Sequence, residues 1–451
     1  MEHSYESVLD AVGHTPLIRL TRVTEGISAP VYLKAEFLNP GGSVKDRAAR
    51  HMVAAAERDG TLRPGGVIVE GTSGNTGIGL AIVAAQRGYR AIVVVPDKTS
   101  TDKLAVLRAY GAEVVVTPGG LPREHPEHVS QLARRIAEQT PGGWFANQYD
   151  NPANPQAHVD TTGPEIWAQT GGRVTHYVAG IGTGGTVSGA GAHLKGVSDG
   201  RVRVIGADPE HSTYGGGDGS PYYVESIGHY LHPDTAEDVW PQSYHTGVLD
   251  AVERIGDREA ITVTRALARQ EGLLVGASAG AAVAAALRVA RGLGPDDLVV
   301  VLAPDSGRNY LSKYFDDDWL LRNGFLDGDR TRPVLGDLLA GAPAPAVVPA
   351  TASTAQAREE FDRTGAEVAL VVLGRTSAAP LRAAGDVVGA LRRDSLKGDS
   401  LDGDSIEPLI APALPAAGIG EPVDAALARI EGDWFAVLAD GRVRAVLPRP
   451  A

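Results

Sequence analysis

Four glycine-bearing stretches constrain the fold of this 451-residue chain more than any other feature of its sequence. Glycine lets the backbone turn sharply and approach a ligand closely, which a β-carbon often forbids. Three of the four begin where a β-rich run ends, so we expect them to meet at the carboxyl ends of strands in one crevice. The stretches are Gly41-Gly42-Ser43-Val44-Lys45-Asp46-Arg47, Thr72-Ser73-Gly74-Asn75-Thr76-Gly77, Gly182-Thr183-Gly184-Gly185-Thr186 and Gly276-Ala277-Ser278-Ala279-Gly280.

Short β-rich runs alternate with alanine-rich helical patterns from about residue 8 to residue 326. This alternation is typical of an α/β protein with a mostly parallel sheet flanked by helices. The chain is longer than a single core normally sustains, so more than one domain is expected. The strand candidates are residues 67–70, 91–95, 175–179, 202–207, 273–275 and 298–303.

The character of the chain changes after residue 326. Residues 327–333 have the composition of a linker, and the sequence beyond is rich in Ala, Pro and Gly. Two weak copies of one β-rich and helical pattern follow. The sequence therefore predicts a domain over residues 1–326 and a small repeated α/β module over residues 327–451.

Charge and composition exclude several classes of partner and site. The formal net charge of −13 disfavours nucleic acid and acidic membrane surfaces. No apolar run reaches the roughly 18 residues that a membrane helix needs, and the first ten residues lack the pattern of a secretory leader, so a cytoplasmic location is expected. Without cysteine the chain has no disulfide, thiolate metal site or cysteine nucleophile, and no metal site is predicted.

Lys45 is the candidate catalytic residue. It follows Gly41 and Gly42 and opens an alanine-rich helical run at residues 46–58. A helix N-terminus lowers the pKa of an adjacent amine and so favours the free base that a Schiff-base lysine needs. The alternative is an ordinary surface lysine. The glycine pair before it favours the catalytic interpretation.

Two of the stretches offer donors for anions. Residues 72–77 join a strand to a helix, so their N–H groups and hydroxyls suit a small carboxylate, and Asn75 could reach a phenolic oxygen. An ordinary capping turn is the alternative. Residues 182–186 offer successive unobstructed N–H groups that suit a phosphate. A dinucleotide site is the alternative there, although residues 180–185 do not match Gly-x-Gly-x-x-Gly and no Walker A ending follows.

Ser278 lies in the first turn of a helical run, where it could also serve as an N-cap. A neutral serine beside a pyridine nitrogen leaves the ring unprotonated, which suits elimination and replacement at Cβ more than transamination. An amine, a carboxylate loop, a phosphate loop and this hydroxyl are together what a pyridoxal 5'-phosphate enzyme needs. The sequence therefore predicts pyridoxal 5'-phosphate as the cofactor.

These motifs resemble the fold-type II pyridoxal 5'-phosphate enzymes, specifically the cysteine synthase and cystathionine β-synthase family. The segment Pro304-Asp305-Ser306-Gly307-Arg308-Asn309-Tyr310, followed by Trp319, is similar to the second branch of that family. The likeness covers nearly all of residues 5–326. It implies a tryptophan synthase β-like fold of two open, twisted, mostly parallel sheets, with a smaller subdomain at roughly 45–150.

The resemblance also implies roles for individual residues. Lys45 would form the Schiff base, Asn75 would lie at the ring oxygen and Ser278 at the pyridine nitrogen. The phosphate would be held by Gly182, Thr183, Gly184, Gly185 and Thr186. The substrate carboxylate would be held by Thr72, Ser73, Gly74, Thr76 and Gln148.

Two regions depart from the family pattern. In the strip 224–231, Ser226 stands where glycine is usual, and His229 and Tyr230 replace residues thought to assist homocysteine. All three are candidate second-substrate residues, with His229 either a general base for another nucleophile or an exposed loop histidine. The C-terminal module resembles a pair of CBS motifs but lacks their nucleotide-binding hydroxyl, which favours packing or dimer contacts. A homodimer or higher homo-oligomer is expected.

The resemblance implies β-replacement on L-serine or an O-activated serine through an aminoacrylate. Homocysteine is the leading nucleophile, which would give cystathionine. A first alternative is cysteine synthase-like or specialised β-substitution of O-acetyl- or O-phosphoserine by sulfide, an amine or a heterocycle. A β-eliminating dehydratase and a non-catalytic binding protein are the others. Small amino-acid substrates are the expected partners in each enzymatic case.

Overall fold

The computed structural model describes residues 4–72, 74–97, 99–328, 331–375, 381–397 and 405–450. Its strands are β1 Leu17–Arg19, β2 Val31–Ala35, β3 Val67–Gly71, β4 Arg90–Pro96, β5 Glu113–Thr117, β6 Gly143–Phe145, β7 His176–Gly180, β8 Arg203–Pro209, β9 Ala251–Ile255, β10 Val299–Ala303, β11 Ala346–Pro349, β12 Val368–Val372, β13 Val387–Arg392, β14 Ala416–Gly418, β15 Trp434–Ala439 and β16 Arg442–Pro448. Its α-helices are α1 Lys45–Asp59, α2 Asn75–Arg87, α3 Thr101–Ala109, α4 Val129–Gln139, α5 Ala153–Ala157, α6 Gly163–Gln169, α7 Gly185–Val197, α8 Asp257–Ala266, α9 Ala277–Ala290, α10 Asp317–Arg322, α11 Thr354–Thr364 and α12 Val423–Arg429.

The chain divides into two compact units, of which the first comprises Met1–Gly217 and Val224–Tyr310. It contains a six-stranded sheet in the order β1-β2-β10-β7-β8-β9 and a four-stranded sheet in the order β5-β4-β3-β6. Strand β1 pairs antiparallel with β2, while the other pairings in both sheets are parallel. The predicted fold class, with two mostly parallel sheets flanked by helices, is confirmed.

The strands that precede the predicted loops are buried on both faces. Strands β3 and β10 are buried at every residue, as parallel strands covered by helices must be. Helix α9 is almost entirely buried because its alanines and Gly280 let neighbouring elements approach closely; a β-carbon on Gly280 would lie 2.0 Å from Thr264 Oγ1. This packing fixes the carboxyl ends of β3, β7 and β10, from which the loops that form the candidate site emerge.

One predicted strand, at residues 273–275, does not form. Gly272 takes a left-handed conformation and α9 begins at Ala277, so few residues remain between the two turns. Within the segment, Val275 makes an isolated bridge to Ser306. The segment thus contributes one extended residue to the site without joining a sheet.

The second unit comprises Asp218–Tyr223 and Leu311–Ala451. It contains two three-stranded sheets that are built in the same way. Strands β11 and β12 are parallel, with α11 between them, and β13 is antiparallel to β12. Strands β14 and β15 are parallel, with α12 between them, and β16 is antiparallel to β15. The internal repeat expected from the sequence is therefore present as two β-α-β-β copies.

No described helix combines the length and apolar character that crossing a membrane requires.

Arg47, in the first turn of α1, is the centre of a buried ion network. Its Nε lies 2.7 Å from Glu36 Oε2, and its Nη1 lies 2.7 Å from Glu165 Oε1. Lys34 Nζ is 2.6 Å from the other oxygen of Glu165. Because these residues come from β2, the turn after it, α1 and α6, the network fixes the start of α1 relative to the six-stranded sheet.

We expect Arg47→Met to lower the free energy of unfolding of the first unit by about 3–5 kcal/mol, because Glu36 would keep a buried charge without its guanidinium partner and Glu165 would lose one of its two cations. Denaturant unfolding followed by tryptophan fluorescence measures the change. The matched control in the same unit is Arg90→Met, since Arg90 pairs with Glu113 at an exposed position and its loss should lower the free energy of unfolding by at most about 1 kcal/mol. Equal effects of the two substitutions would contradict the importance assigned to the network.

Candidate active site

A cavity in the first unit brings together three segments that the sequence singled out: the start of α1, the glycine-rich stretch before α7 and the strip around Ser226. It lies at the carboxyl ends of β7 and β10, as expected for an open α/β sheet. The residues that line it are Val44, Lys45, Gly180, Gly182, Thr183, Gly184, Thr186, Ser226, Ile227, Leu302 and Pro304.

Lys45 is held at the first position of α1 by contacts of its backbone and its neighbour. The N–H of Val44 donates to the carbonyl of Pro304 at 2.8 Å, and the N–H of Lys45 donates to Ser43 Oγ at 3.2 Å. Burial lowers the pKa of the Lys45 amine to about 8, against the opposing charge of Asp305. The amine is therefore much closer to its free-base form at neutral pH than an ordinary lysine.

The stretch 182–186 has no room for side chains at its glycines. A β-carbon on Gly184, where φ is +82°, would lie 2.4 Å from Tyr244 Cα, and one on Gly182 would lie 2.8 Å from the Ser226 carbonyl oxygen. Thr186 Oγ1 lies 3.2 Å from His158 Nε2, which fixes the hydroxyl at the end of the stretch. Backbone N–H groups at the start of α7 are left as an anion cradle.

Asn154, which was not among the predicted site residues, connects two of the predicted loops. Its Nδ2 donates to the Gln148 carbonyl at 2.8 Å and to Thr183 Oγ1 at 3.0 Å. It is 1% exposed, and a β-carbon on Gly185 would lie 2.2 Å from its Oδ1. The role of Asn154 could be predicted only with the knowledge that the fold brings it beside both loops.

The predicted carboxylate site gathers Thr72, Thr76 and Gln148. Thr76 Oγ1 donates to Gln148 Oε1 at 2.5 Å, and the N–H of Gly74 donates to Thr72 Oγ1 at 3.3 Å. Glu70, at the end of β3, accepts backbone N–H groups of residues 147 and 148, and burial raises its pKa to about 8. Glu70 therefore supports the turn that presents Gln148. Ser73, also predicted for this site, lies outside the described residues.

Asp305 is a second residue that the site analysis of the sequence missed. Its Oδ2 accepts from Asn75 Nδ2 at 2.8 Å, and its Oδ1 accepts from Ser278 Oγ at 3.4 Å. Asn75 and Ser278, predicted separately as cofactor contacts, thus share one buried carboxyl. The one feature of the sequence that pointed to Asp305 was its place in the segment 304–310, which resembles one branch of the family.

The arrangement fits pyridoxal 5'-phosphate. Asn75 Oδ1 is buried without a hydrogen-bond partner among the described residues, as expected of a group whose partner is a ligand. The glycine cradle suits the phosphate, and Lys45 lies in the same cavity to take the aldehyde carbon. The residues that would hold the ring are Asn75 and Ser278.

Ser226 is the strip residue that lines the cavity together with Lys45. Its φ is +73°, a left-handed conformation that glycine adopts far more readily. Its Oγ lies 3.2 Å from the Tyr310 hydroxyl. The serine is thus held in a strained backbone conformation with its hydroxyl engaged.

His229 and Tyr230 lie further along the strip. His229 Nε2 is 2.9 Å from Asp238 Oδ1, and its ring centroid is 5.2 Å from that of Tyr214. Burial lowers the pKa of His229, although the Asp238 carboxylate opposes the shift. The Tyr230 ring lies 6.4 Å from that of His232. The structure therefore places His229 in a cluster with Tyr214 and Asp238, and the second-substrate roles of His229 and Tyr230 stay predictions.

Comparison with known proteins agrees with this geometry. Residues 8–305 match the family model described as pyridoxal-phosphate dependent enzyme. The chain is 43% identical over 321 residues to a cystathionine beta-synthase of Apis mellifera, covering 71% of this chain and 63% of that protein. It is 45% identical over 307 residues to a probable cysteine synthase of Bacillus subtilis (strain 168), covering 67% and 95%. The match thus spans less than two thirds of the Apis mellifera protein.

A solved structure shows the same likeness. The crystal structure of an O-ureido-L-serine synthase superimposes with a TM-score of 0.63 at 39% identity, covering 70% of this chain and 99% of that one. The predicted family and cofactor are confirmed by these comparisons together.

We expect Gly185→Ala to raise the apparent dissociation constant of pyridoxal 5'-phosphate about 10- to 100-fold, because the added methyl group would displace Asn154 from both loops. Absorbance titration of the cofactor-depleted protein measures the constant. Gly196→Ala is the control in the same helix, since its β-carbon meets nothing within 4 Å. It should leave the constant unchanged, and a similar loss in both variants would contradict the role of the cradle.

We expect the rate at which cofactor-depleted protein captures pyridoxal 5'-phosphate to rise with pH through about 8. The reason is that the free amine is the reactive form, and the burial of Lys45 moves its titration down. Stopped-flow absorbance measures the rate. The same rate is measured with Nα-acetyl-lysine, whose side-chain amine is free, to correct for the titration of the cofactor. For this compound the rate should rise up to about pH 10.4. A Lys45 profile parallel to that of Nα-acetyl-lysine would contradict the lowered pKa.

Proposed function

The chain belongs to the pyridoxal-phosphate dependent enzymes, in the group that contains cysteine synthases and cystathionine β-synthases, and from this premise we propose that it catalyses β-replacement on L-serine or an O-activated L-serine. The observation that carries the proposal is the meeting of Lys45 and the glycine cradle in one cavity. Asn75 and Ser278 reach the same site through Asp305.

The chain's own groups supply the binding and the proton transfers. Pyridoxal 5'-phosphate, when bound, supplies an electron sink that acidifies the α-carbon of the amino acid. The hydroxyls of Thr72 and Thr76 and the amide of Gln148 bind the substrate carboxylate at the start of α2, where the helix dipole favours negative charge. Lys45, which would hold the cofactor, would also take the α-proton of the substrate and later return it to the same carbon.

Homocysteine is the nucleophile that we propose first, which makes the product cystathionine. The supporting observations are the identity of 43% to the Apis mellifera cystathionine beta-synthase and the segment 304–310, whose Asp305 and Tyr310 both contact site residues. L-Serine is then the first substrate.

A smaller nucleophile, with O-acetyl- or O-phosphoserine as the first substrate, is the second candidate. Ser226 favours it, because a side chain at this position takes space in the cavity beside Lys45. The O-ureido-L-serine synthase, which is 39% identical to this chain, is named for a serine derivative other than cysteine or cystathionine.

The direct test mixes the holoenzyme with L-serine or O-acetyl-L-serine, then with homocysteine, sulfide or hydroxylamine, and identifies the products by mass spectrometry. Cystathionine from L-serine supports the first candidate. Cysteine or another small substitution product made only from the acetyl ester supports the second. Pyruvate formed equally with and without a nucleophile would replace both with a dehydratase, and no turnover with any pair would refute the proposed function.

We expect Ser226→Gly to raise the ratio of kcat/KM for homocysteine to that for sulfide about tenfold if the second candidate is right, because removing a side chain opens room for the larger thiol. The assay is run near pH 9, where thiols are largely ionised. Ser226→Ala keeps the β-carbon and should keep the wild-type ratio. An unchanged ratio in Ser226→Gly would count against the smaller nucleophile.

A further inference from the structure

Three side chains form a continuous hydrogen-bonded path from the cavity into the protein interior. Ser226 lines the cavity, and its Oγ lies 3.2 Å from the Tyr310 hydroxyl. That hydroxyl lies 2.5 Å from Asp305 Oδ2. Tyr310 is 1% exposed and Asp305 is 0% exposed, so solvent has little access to the path beyond Ser226.

The direction of these hydrogen bonds follows from the single proton on each hydroxyl. An ionised carboxylate only accepts, so the Tyr310 O–H donates to Asp305. The phenol has no second proton, and therefore the Ser226 O–H donates to the Tyr310 oxygen. The remaining lone pairs of Ser226 Oγ are acceptors at the cavity. The path is thus oriented to take a proton inward.

The backbone of Ser226 indicates that its hydroxyl has a use. A non-glycine residue at φ +73° is strained, and a glycine would relieve that strain. Strain of this kind persists where the surrounding structure holds it, and it is concentrated at functional sites. Ser226 makes a contact with the Tyr310 hydroxyl that a glycine at this position could not make.

The proposed β-replacement, on which this inference rests, moves a second proton in addition to the α-proton. Lys45 takes the α-proton and returns it to the same carbon. The nucleophile, however, arrives with a proton that it must lose, and a hydroxide leaving group must gain one. A separate acid–base path between these two events would complete the reaction.

We propose that Ser226, Tyr310 and Asp305 relay the proton of the nucleophile to the buried carboxyl and return it to the leaving group of the next turnover. As the lone pair of the nucleophile bonds to Cβ, its proton passes to Ser226 Oγ, the serine proton passes to Tyr310, and the tyrosine proton passes to Asp305 Oδ2. In the next turnover the Cβ–O bond breaks and its electron pair leaves with the oxygen. The three protons then move back, and the oxygen gains one.

The surroundings of Asp305 suit a carboxyl that exchanges a proton. Burial raises its pKa, while hydrogen bonds from Tyr310 and Asn75 lower it. Lys103, which pairs with Glu225 at 2.6 Å and lies over the Tyr310 ring at 4.5 Å, also lowers it. The charged and titratable groups that face Asp305 are Lys45, Lys103, Glu225 and Tyr310.

The test is the pH dependence of kcat/KM for the nucleophile, which in a two-stage replacement reports only the stage that consumes it. The holoenzyme and its Tyr310→Phe variant are compared from pH 6.5 to 9.5, with homocysteine and with sulfide. The phenylalanine keeps the ring over Lys103 and removes only the proton-carrying hydroxyl. With homocysteine we expect a loss of about 100-fold at low pH, which closes as the thiol ionises near pH 8.5, because an ionised nucleophile has no proton to relay. With sulfide, a stronger acid than a thiol, the loss should close at lower pH.

Two further variants separate the relay from a structural effect. Ser226→Ala removes the entry of the path and should reproduce the Tyr310→Phe profile. Tyr314→Phe removes another buried hydroxyl, which donates to the Tyr223 carbonyl at 2.7 Å, and should follow the wild type. A loss in Tyr310→Phe that is equal at every pH, or no loss, overturns the relay while leaving β-replacement standing. Absence of any replacement product from the wild type overturns both.

Discussion

The buried guanidinium of Arg47 makes the contacts on which the placement of Lys45, the candidate catalytic residue, depends. It lies two residues after Lys45 in the same helical turn and binds the carboxylates of Glu36 and Glu165. A buried cation with two partners can occupy few positions without losing one of them. The helix that begins at Lys45 is therefore fixed against the large sheet at its first turn, and the loops of the site are arranged around a lysine that is already in place.

Some features of the candidate site depend on close approach of the backbone and others on contacts between distant side chains. The sequence predicts the first kind but not the second. Close backbone approach has a local signature, so the spacing of glycines predicted the cavity-lining stretch 182–186 and the lysine opposite it. The fold class and cofactor predicted from the same patterns are confirmed, while the individual residue roles remain predictions. Contacts between distant polar side chains have no local signature. Asn75 and Asp305 are 230 residues apart, and Asn154 is one asparagine among several until the fold brings it beside Gln148 and Thr183.

Burial has opposite effects on the two titratable groups nearest the reaction. It lowers the pKa of Lys45 to about 8 and raises that of Asp305, so the two pKa values approach each other. The same low-polarity surroundings thus shift each of the two groups toward its uncharged form.

Residues 218–223 belong by their contacts to the second unit, although they lie in the middle of the chain that forms the first. The Tyr314 hydroxyl donates to the Tyr223 carbonyl, and Arg442 Nη2 donates to Ser220 Oγ at 3.0 Å. The strip 224–231, of which Ser226 and Ile227 line the cavity, starts at the very next residue. A single cut in the chain therefore cannot separate the two units, because the polypeptide passes between them three times. A chain cut short at residue 310 would keep residues 218–223 but lose the part of the polypeptide with which they are grouped.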